Sequence, residues 1–118
     1  MQVEIKRAYD APAPGDGYRV LADRLWPRGV KKSALPLDEW CKDIAPSQEL
    51  RVWFAHDPAK FDEFTVRYTE ELAANDMAAR QLLERAKKHD VLTLVYAAKD
   101  PRINHAVVLR DYLAKMLD

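Results

Sequence analysis

The stretch Val91-Leu92-Thr93-Leu94-Val95-Tyr96-Ala97 decides the fold of this chain. It is largely apolar, it contains several β-branched residues, and charged residues flank it on both sides. Such a run is typical of a strand in a parallel sheet, because layers of structure cover both faces of the sheet and keep water from them. We therefore predict that residues 91–97 form the central strand of a small sheet.

Two further strands are predicted nearer the N-terminus. Residues 2–6 alternate between apolar and polar side chains, which indicates a half-buried strand. Residues 18–24 contain the apolar run Val20-Leu21-Ala22, which indicates a strand that is buried on both faces. Pro27 lacks an amide donor, so this second strand is expected to end before it.

Helical periodicity dominates the rest of the chain. We predict four consecutive helices between the second and third strands, and a fifth helix from Asn104 to Leu117. Ser47 and Asn75 are suited to cap the second and the fourth helix, and Asp57-Pro58 is suited to open the third. The apolar positions of the four are Leu37, Trp40, Cys41 and Ile44, then Leu50, Trp53 and Phe54, then Phe61, Phe64, Tyr68 and Leu72, and finally Ala79, Leu82, Leu83 and Ala86.

Strands that alternate with helices favour an α/β fold with a mainly parallel sheet. The chain has 118 residues, of which 48% are hydrophobic, and this composition can supply one packed core. We predict a single α/β domain over residues 1–118.

Composition also limits the partners and the compartment. Lys and Arg number 19 and Asp and Glu number 19, and this zero net charge disfavours nucleic acid as a partner because phosphate attraction dominates such binding. No apolar run approaches the roughly 20 residues of a membrane span, and the N-terminus lacks the apolar block of a signal peptide. Cys41 is the only cysteine, so no internal disulfide can form. We expect a reduced, cytoplasmic protein outside the membrane.

The sequence lacks motifs for metals and cofactors. The three histidines are isolated, no cysteine pair has a metal-binding spacing, and the three glycines form neither a phosphate loop nor a dinucleotide fingerprint. A cysteine phosphatase needs an arginine six residues after its cysteine, but the sixth residue after Cys41 is Ser47. We therefore predict no metal and no cofactor, and we interpret Cys41 as a buried hydrophobic residue.

Polar side chains collect where the second and third strands end and the last helix begins. These candidate site residues are Arg24, Trp26, Arg28, Lys99, Asp100, Asn104 and His105. Because ligands of open α/β sheets bind beyond the carboxyl ends of the strands, we expect these side chains to share one rim. Guanidinium groups and a helix N-terminus suit a small anionic ligand bearing phosphate or carboxylate. His105 and Asp100 are the candidate catalytic residues, the first to move a proton and the second to orient a basic partner.

Structural roles for the same residues stay open. The alternatives are an ion pair between Asp23 and Arg24, a helix cap at Asp100, a solvated loop at Lys99, local hydrogen bonding by His105 and core packing of Trp26.

Several motifs carry a resemblance to a known family. They are Asp23-Arg24-Leu25-Trp26-Pro27-Arg28-Gly29, Trp40-Cys41-Lys42-Asp43-Ile44-Ala45-Pro46-Ser47, Trp53-Phe54-Ala55-His56-Asp57-Pro58, and Tyr96-Ala97-Ala98-Lys99-Asp100 before Asn104-His105-Ala106. With them the chain resembles, over almost its whole length, the domain of unknown function 488 family in its YeaO-like branch. The resemblance implies a small cytoplasmic α/β protein without an established activity.

The resemblance also adds Asp43, Ser47 and His56 to the candidate rim. From the sequence, Asp43 lies at the end of a short predicted helix and is a candidate counter-ion for Arg28. Ser47 and His56 have structural explanations as well, the first as a helix cap and the second at a helix C-terminus. In other branches of the family that this chain resembles, one cysteine is expected at the position of Tyr96 and another at the position of Asn104. The resemblance therefore does not extend a thiol or metal role to this rim.

Three functional hypotheses follow. The first is an enzyme or enzyme-like receptor for a small anionic molecule. The second is a protein-interaction module, in which Trp40, Trp53 and Phe54 form an exposed aromatic patch. The third is a DNA-associated regulator, a label that some relatives carry.

Overall fold

The computed structural model describes all residues from Met1 to Asp118, and it contains four strands and four α-helices. The strands are β1 (Gln2–Arg7), β2 (Tyr18–Leu21), β3 (Glu39–Trp40) and β4 (Val91–Tyr96). The helices are α1 (Gln48–Phe54), α2 (Phe61–Ala74), α3 (Asp76–Ala86) and α4 (His105–Met116). The predicted α/β fold class is confirmed.

The strands form one sheet in the order β1-β4-β2-β3, and every neighbouring pair is parallel. β4 lies between β1 and β2, with Leu92 opposite Val3 on one side and Leu94 opposite Val20 on the other. All of β4 after Val91 is buried. The prediction that this stretch forms the central strand is therefore confirmed.

The first of the predicted helices is wrong, and the sheet has a fourth strand in its place. Glu39 and Trp40 form the edge strand β3 beside β2, and the Cys41 amide continues the ladder by donating to the Leu21 carbonyl at 2.9 Å. Only Lys42–Ile44 coil, as a single 3-10 turn. A short helix is marginal without a continuous packed face, whereas pairing with β2 satisfies the backbone of this segment. The chain consequently has four α-helices and not five.

The apolar residues of this segment are buried in two directions, which explains their helix-like spacing. Cys41 and Ile44 belong to the main core, while Leu37 and Trp40 pack against a second cluster on the other face of the sheet. The strand before it is also shorter than predicted, because β2 ends at Leu21 and not at residue 24.

The two faces of the sheet are covered differently. The main core joins all four helices to one face, which presents Val20, Leu92 and Leu94. On the opposite face Leu21 and Val95 pack against residues of the loops that follow β1 and β2. The loops that leave the carboxyl ends of β1 and β2 therefore cover this second face of the sheet.

Polar contacts fix the helix starts. The Ser47 hydroxyl accepts from the Leu50 amide and caps α1, as predicted. The cap of α4 is Asn104, whose side chain accepts from the Val107 amide, and not Asp100. The prediction that Asn75 caps a helix is wrong. Its side chain accepts no hydrogen bond from the start of α3, and its amide group donates to the Asp43 carbonyl instead. No helix has the length and apolarity needed to cross a membrane.

A buried ionic cluster holds the loop after β1 against the sheet. The Asp16 carboxylate accepts from Lys6 Nζ at 2.8 Å and from Arg19 Nη1 at 2.5 Å, and the Asp16 carbonyl accepts from Thr93 Oγ1. Burial tends to raise the pKa of Asp16, but the hydrogen bonds from Lys6, the Ala13 amide and Arg19 outweigh it, and the pKa is lowered.

Candidate functional site

A cleft of about 810 Å³ opens beyond the carboxyl ends of β1, β2 and β4, at the N-terminus of α4. Its lining includes seven of the residues selected from the sequence, namely Arg24, Trp26, Arg28, Lys99, Asp100, Asn104 and His105. Asp43 does not line the cleft. Residues from distant parts of the sequence meet here because β2 and β4 are parallel neighbours whose ends lie side by side.

The cleft carries four cationic side chains that have no carboxylate partner. They are Arg24, Arg28, Arg51 and Lys99, and none of them takes part in an ion pair of the protein. Arg24 is half-buried, and its Nε donates to the Pro46 carbonyl at 2.8 Å, which fixes the direction of the guanidinium. The proposed ion pair between Arg24 and Asp23 does not form.

Asp23 instead contacts the candidate proton-transfer residue. Its Oδ1 lies 2.8 Å from His105 Nε2, and its Oδ2 accepts from the Ala97 amide at 3.0 Å. The same Nε2 lies 3.0 Å from the Ala22 carbonyl oxygen. Because both neighbours of Nε2 are acceptors, Nε2 carries a proton and Nδ1 is the ring nitrogen left for a ligand.

Asp100 and Asn104 build the turn between β4 and α4. Asp100 Oδ1 accepts from the amides of Arg102 and Ile103, and these bonds lower the pKa of Asp100. The side-chain amide of Asn104 donates to the Asp100 carbonyl, while its oxygen accepts from the Val107 amide. Asn104 is buried with both polar ends occupied, so its contacts here are those of a structural residue.

Trp26 takes part in both the packing and the cleft. Its Nε1 donates to the Val30 carbonyl at 2.7 Å, and its ring meets Trp40 edge to face, with the ring centroids 5.5 Å apart. The indole is therefore held as a fixed part of the cleft wall. Lys99, by contrast, is exposed and makes no side-chain hydrogen bond within the protein.

Only one of the three residues added by the family resemblance lines the cleft. Asp43 is exposed outside the cleft and makes no ion pair with Arg28. Ser47 donates to Glu71 Oε2 at 2.6 Å besides capping α1, so both its hydrogen-bonding roles are structural. His56 lines the cleft, and it has a left-handed backbone with φ of 57°.

The preceding residue, Ala55, is left-handed too, with φ of 49°. Left-handed backbone costs roughly 1–2 kcal/mol for a residue with a side chain. Two such residues in succession end α1 abruptly and bring the His56 imidazole to the cleft.

Several residues of the cleft were not among those predicted from the sequence. Arg51 and Val52 come from α1, Tyr9 follows β1, and Phe54 and Phe64 contribute a stacked pair with centroids 4.2 Å apart. Tyr9 lies two residues beyond the last residue of β1, so the strand-end rule could have selected it. The side of α1 that faces the cleft depends on how α1 packs on α2, which helical periodicity does not specify.

No group of three or more His, Cys, Asp or Glu side chains in the structure is arranged to hold a metal ion.

Comparison with known proteins gives the chain a family but no activity. The family model DUF488-N3i, described as the inactive DUF488-N3 subclade, matches residues 2–118. The chain is 47% identical over 116 residues to the uncharacterized protein YeaO of Escherichia coli strain K12. The matched region covers 98% of this chain and 100% of that protein. It is 45% identical over 112 residues to the uncharacterized protein Rv3073c of Mycobacterium tuberculosis strain H37Rv. Here the matched region covers 95% of this chain and 93% of that protein. No solved structure matches the chain.

Proposed function

The chain belongs to the DUF488 family, within the subclade described as inactive, and from this premise we propose that it binds a small anionic molecule bearing phosphate or carboxylate in the cleft at the strand ends. One observation carries the proposal. The cleft contains four cations without a carboxylate partner, while its two carboxylates already accept from backbone amides, Asp23 from that of Ala97 and Asp100 from those of Arg102 and Ile103.

The chemistry of these cations suits an anion larger than a single ion. A guanidinium donates through two parallel N–H groups to phosphate or carboxylate, and Arg24 has its fork positioned by the Pro46 carbonyl. α4 begins at the cleft, and its N-terminus adds a partial positive charge. A volume of about 810 Å³ lies in the range of pockets that hold small organic ligands.

The lining favours binding over turnover. It includes no Ser, Thr or Cys, so the cleft lacks the usual hydroxyl and thiol nucleophiles of covalent catalysis. The Ala22 carbonyl and Asp23 hold the Nε2 side of the His105 ring, so the unprotonated Nδ1 can accept a hydrogen bond from a hydroxyl or amino group of the ligand. We place this binding in the reducing cytoplasm, where Cys41 stays a thiol.

The alternative of an aromatic docking patch has less support. Phe54 is buried, and Trp53 is half-buried with the cations of Lys60 and Arg67 over its ring. Trp40 is half-buried beneath Lys42. These three rings therefore do not form one open apolar surface.

The test is a binding measurement by isothermal titration calorimetry with ribose 5-phosphate, citrate and pyrophosphate. We expect at least one of them to bind more weakly as salt is raised, and Arg28→Ala to weaken that binding about tenfold or more, because a charged hydrogen bond contributes about 1.5–3 kcal/mol. Lys115→Ala removes an exposed cation outside the cleft and is expected to leave the affinity unchanged.

The result against the proposal is equal binding, or none, in the parent protein and Arg28→Ala at unchanged melting temperature. Salt-sensitive binding of duplex DNA, with no response to the small anions, would instead favour the DNA-associated regulator.

A further inference from the structure

Apolar side chains that the fold leaves uncovered concentrate at the mouth of this cleft. Seven large apolar residues are exposed in the structure, and two of them, Met1 and Leu117, lie at the chain ends. Of the other five, Tyr9, Leu25 and Val52 line the cleft with exposed fractions of 48%, 64% and 71%. Exposed apolar groups beside a basic pocket mark a place where a ligand covers apolar surface.

Tyr9 differs from the other two because its ring is fixed. Its hydroxyl donates to the Arg28 carbonyl at 3.0 Å, and the Arg7 guanidinium lies over one face of the ring, 4.9 Å from the centroid. Arg7 is fixed in turn, since its Nε donates to the Ala98 carbonyl at 2.9 Å. These contacts connect the segments that follow β1, β2 and β4, and they hold the ring in place before any ligand arrives.

A held aromatic ring that is still half exposed is a stacking platform. Because Arg7 covers one face of the ring, a second planar group would stack on the other face. Stacking on a fixed ring costs little conformational entropy, because the ring is already ordered. The residue that fixes the hydroxyl, Arg28, is also one of the four cations, which places the platform beside the anion-binding groups.

The charge of the cleft indicates how much negative charge the ligand carries. Four cations face two carboxylates that are already engaged, so the cleft has the charge to accept about two negative charges. A phosphomonoester carries between about −1.5 and −2 at pH 7, whereas a single carboxylate carries −1.

We propose that the ligand of this cleft is a phosphomonoester that carries a planar aromatic ring, as a mononucleotide does, with the phosphate at Arg24 and Arg28 and the ring stacked on Tyr9. This inference rests on the proposed function and specifies the ligand class of the same site. It makes the apolar mouth and the cations two halves of one binding surface.

The test compares adenosine 5′-monophosphate with ribose 5-phosphate, which has the same phosphate and sugar but no ring. We expect the nucleotide to bind the parent protein at least about fivefold more tightly, since stacking on an aromatic side chain contributes about 1–3 kcal/mol per base. Upfield shifts of the adenine ring protons in NMR spectra would report the stacking directly.

Two variants of Tyr9 separate the ring from its hydrogen bond. Tyr9→Leu keeps an apolar side chain but removes the π face, and it is expected to abolish both the preference and the upfield shifts. Both variants lose the bond to the Arg28 carbonyl, so any change in ribose 5-phosphate binding should be the same in the two. Tyr9→Phe keeps the ring and loses only the bond to the Arg28 carbonyl, so it is expected to retain most of the preference.

Equal affinity for the two phosphates in the parent protein, or a preference that survives in Tyr9→Leu, would overturn the stacking proposal. In that case ribose 5-phosphate binding that weakens in Arg28→Ala would still support the proposed anion site. If adenosine 5′-monophosphate, ribose 5-phosphate, citrate and pyrophosphate all fail to bind, the proposed function is wrong as well. If Tyr9→Leu fails to fold, the upfield shifts of the adenine ring protons, measured with the parent protein and with Tyr9→Phe, decide whether the ring stacks.

Discussion

Asp23 and His105 meet across the floor of the cleft, with Oδ1 of the carboxylate 2.8 Å from Nε2 of the imidazole. One residue follows β2 and the other begins α4, so the pair joins a strand end to a helix start. The other carboxylate oxygen binds the Ala97 amide just beyond β4. A single half-buried aspartate thus organises three elements and the orientation of a ring that lines the cleft.

We expect Asp23→Asn to lower the free energy of unfolding by about 1–3 kcal/mol, because an amide group can present only one acceptor oxygen to Ala97 and His105. The His105 Nε2 resonance should also shift, because the carboxylate beside it is replaced while the Ala22 carbonyl still accepts from Nε2. The measurements are urea denaturation and ¹⁵N spectra of the histidine ring, in which the parent protein shows His105 protonated at Nε2.

Asp111→Asn is the matched control, since Asp111 is an exposed aspartate on α4 that contacts only its neighbour Arg110. It should leave both readouts unchanged. A parent spectrum with the His105 proton on Nδ1 would contradict the geometry described here.

The central strand could be predicted because its pattern is local. β4 is buried on both faces, so nearly every residue in it is apolar, and no partner needs to be known to recognise it. β3 could not be predicted, because two residues of edge strand carry no alternation. Its existence depends on pairing with β2, and its apolar neighbours are buried on opposite faces of the sheet.

The candidate site shows the same division. The strand-end rule selected Arg24, Arg28 and Lys99 because it needs only the order of strands and loops. The rule could not select Arg51, because Arg51 lies on a helix and reaches the cleft only through the packing of α1 on the other helices. The role of Asp23 was also hidden, because its partner His105 is distant in sequence and only the parallel pairing of β2 and β4 brings them together.

The buried carboxylate of Asp16 gives a prediction for acid stability. Asp16→Asn leaves the buried Arg19 guanidinium without its counter-charge, and we expect a loss of about 3–5 kcal/mol of unfolding free energy. The measurement is urea denaturation at neutral pH. The double variant Asp16→Leu/Arg19→Met removes both charges and should recover part of the loss; a double variant as unstable as the single one would contradict this account.

The pH dependence has a definite sign. The pKa of Asp16 is lower in the folded protein than in the unfolded chain, so the unfolded chain binds its proton at a higher pH. The stabilisation is therefore complete above the ordinary pKa of about 3.9 and is lost as the pH falls through the lowered value. Unfolding free energies measured from pH 5 downward should fall less steeply in Asp16→Asn than in the parent protein.

The left-handed turn after α1 gives a stabilising substitution. Ala55 has φ of 49° and is exposed, so Ala55→Gly relieves backbone strain without leaving a cavity. We expect a net gain of about 0.5–1 kcal/mol, because the added freedom of glycine in the unfolded chain offsets part of the relief. Ala73→Gly, at an exposed position within α2, should destabilise the protein by up to about 1 kcal/mol. Equal losses in the two variants would show that Ala55 is not strained.

Tyr18 gives the matching prediction for alkaline pH. Burial, together with its hydrogen bond to Glu39 Oε1 at 2.7 Å, raises the pKa of Tyr18 to about 12. Between the ordinary value of about 10 and this raised value the unfolded chain gives up a proton that the folded protein keeps, so stability falls as the pH rises. Tyr18→Phe should cost about 1 kcal/mol at neutral pH and should flatten the decline between pH 10 and 12 in urea denaturation. Tyr9→Phe is the control, since Tyr9 is exposed and its hydroxyl bonds a backbone carbonyl instead of a carboxylate. An unchanged alkaline slope in Tyr18→Phe would rule out the half-buried phenol of Tyr18 as its source.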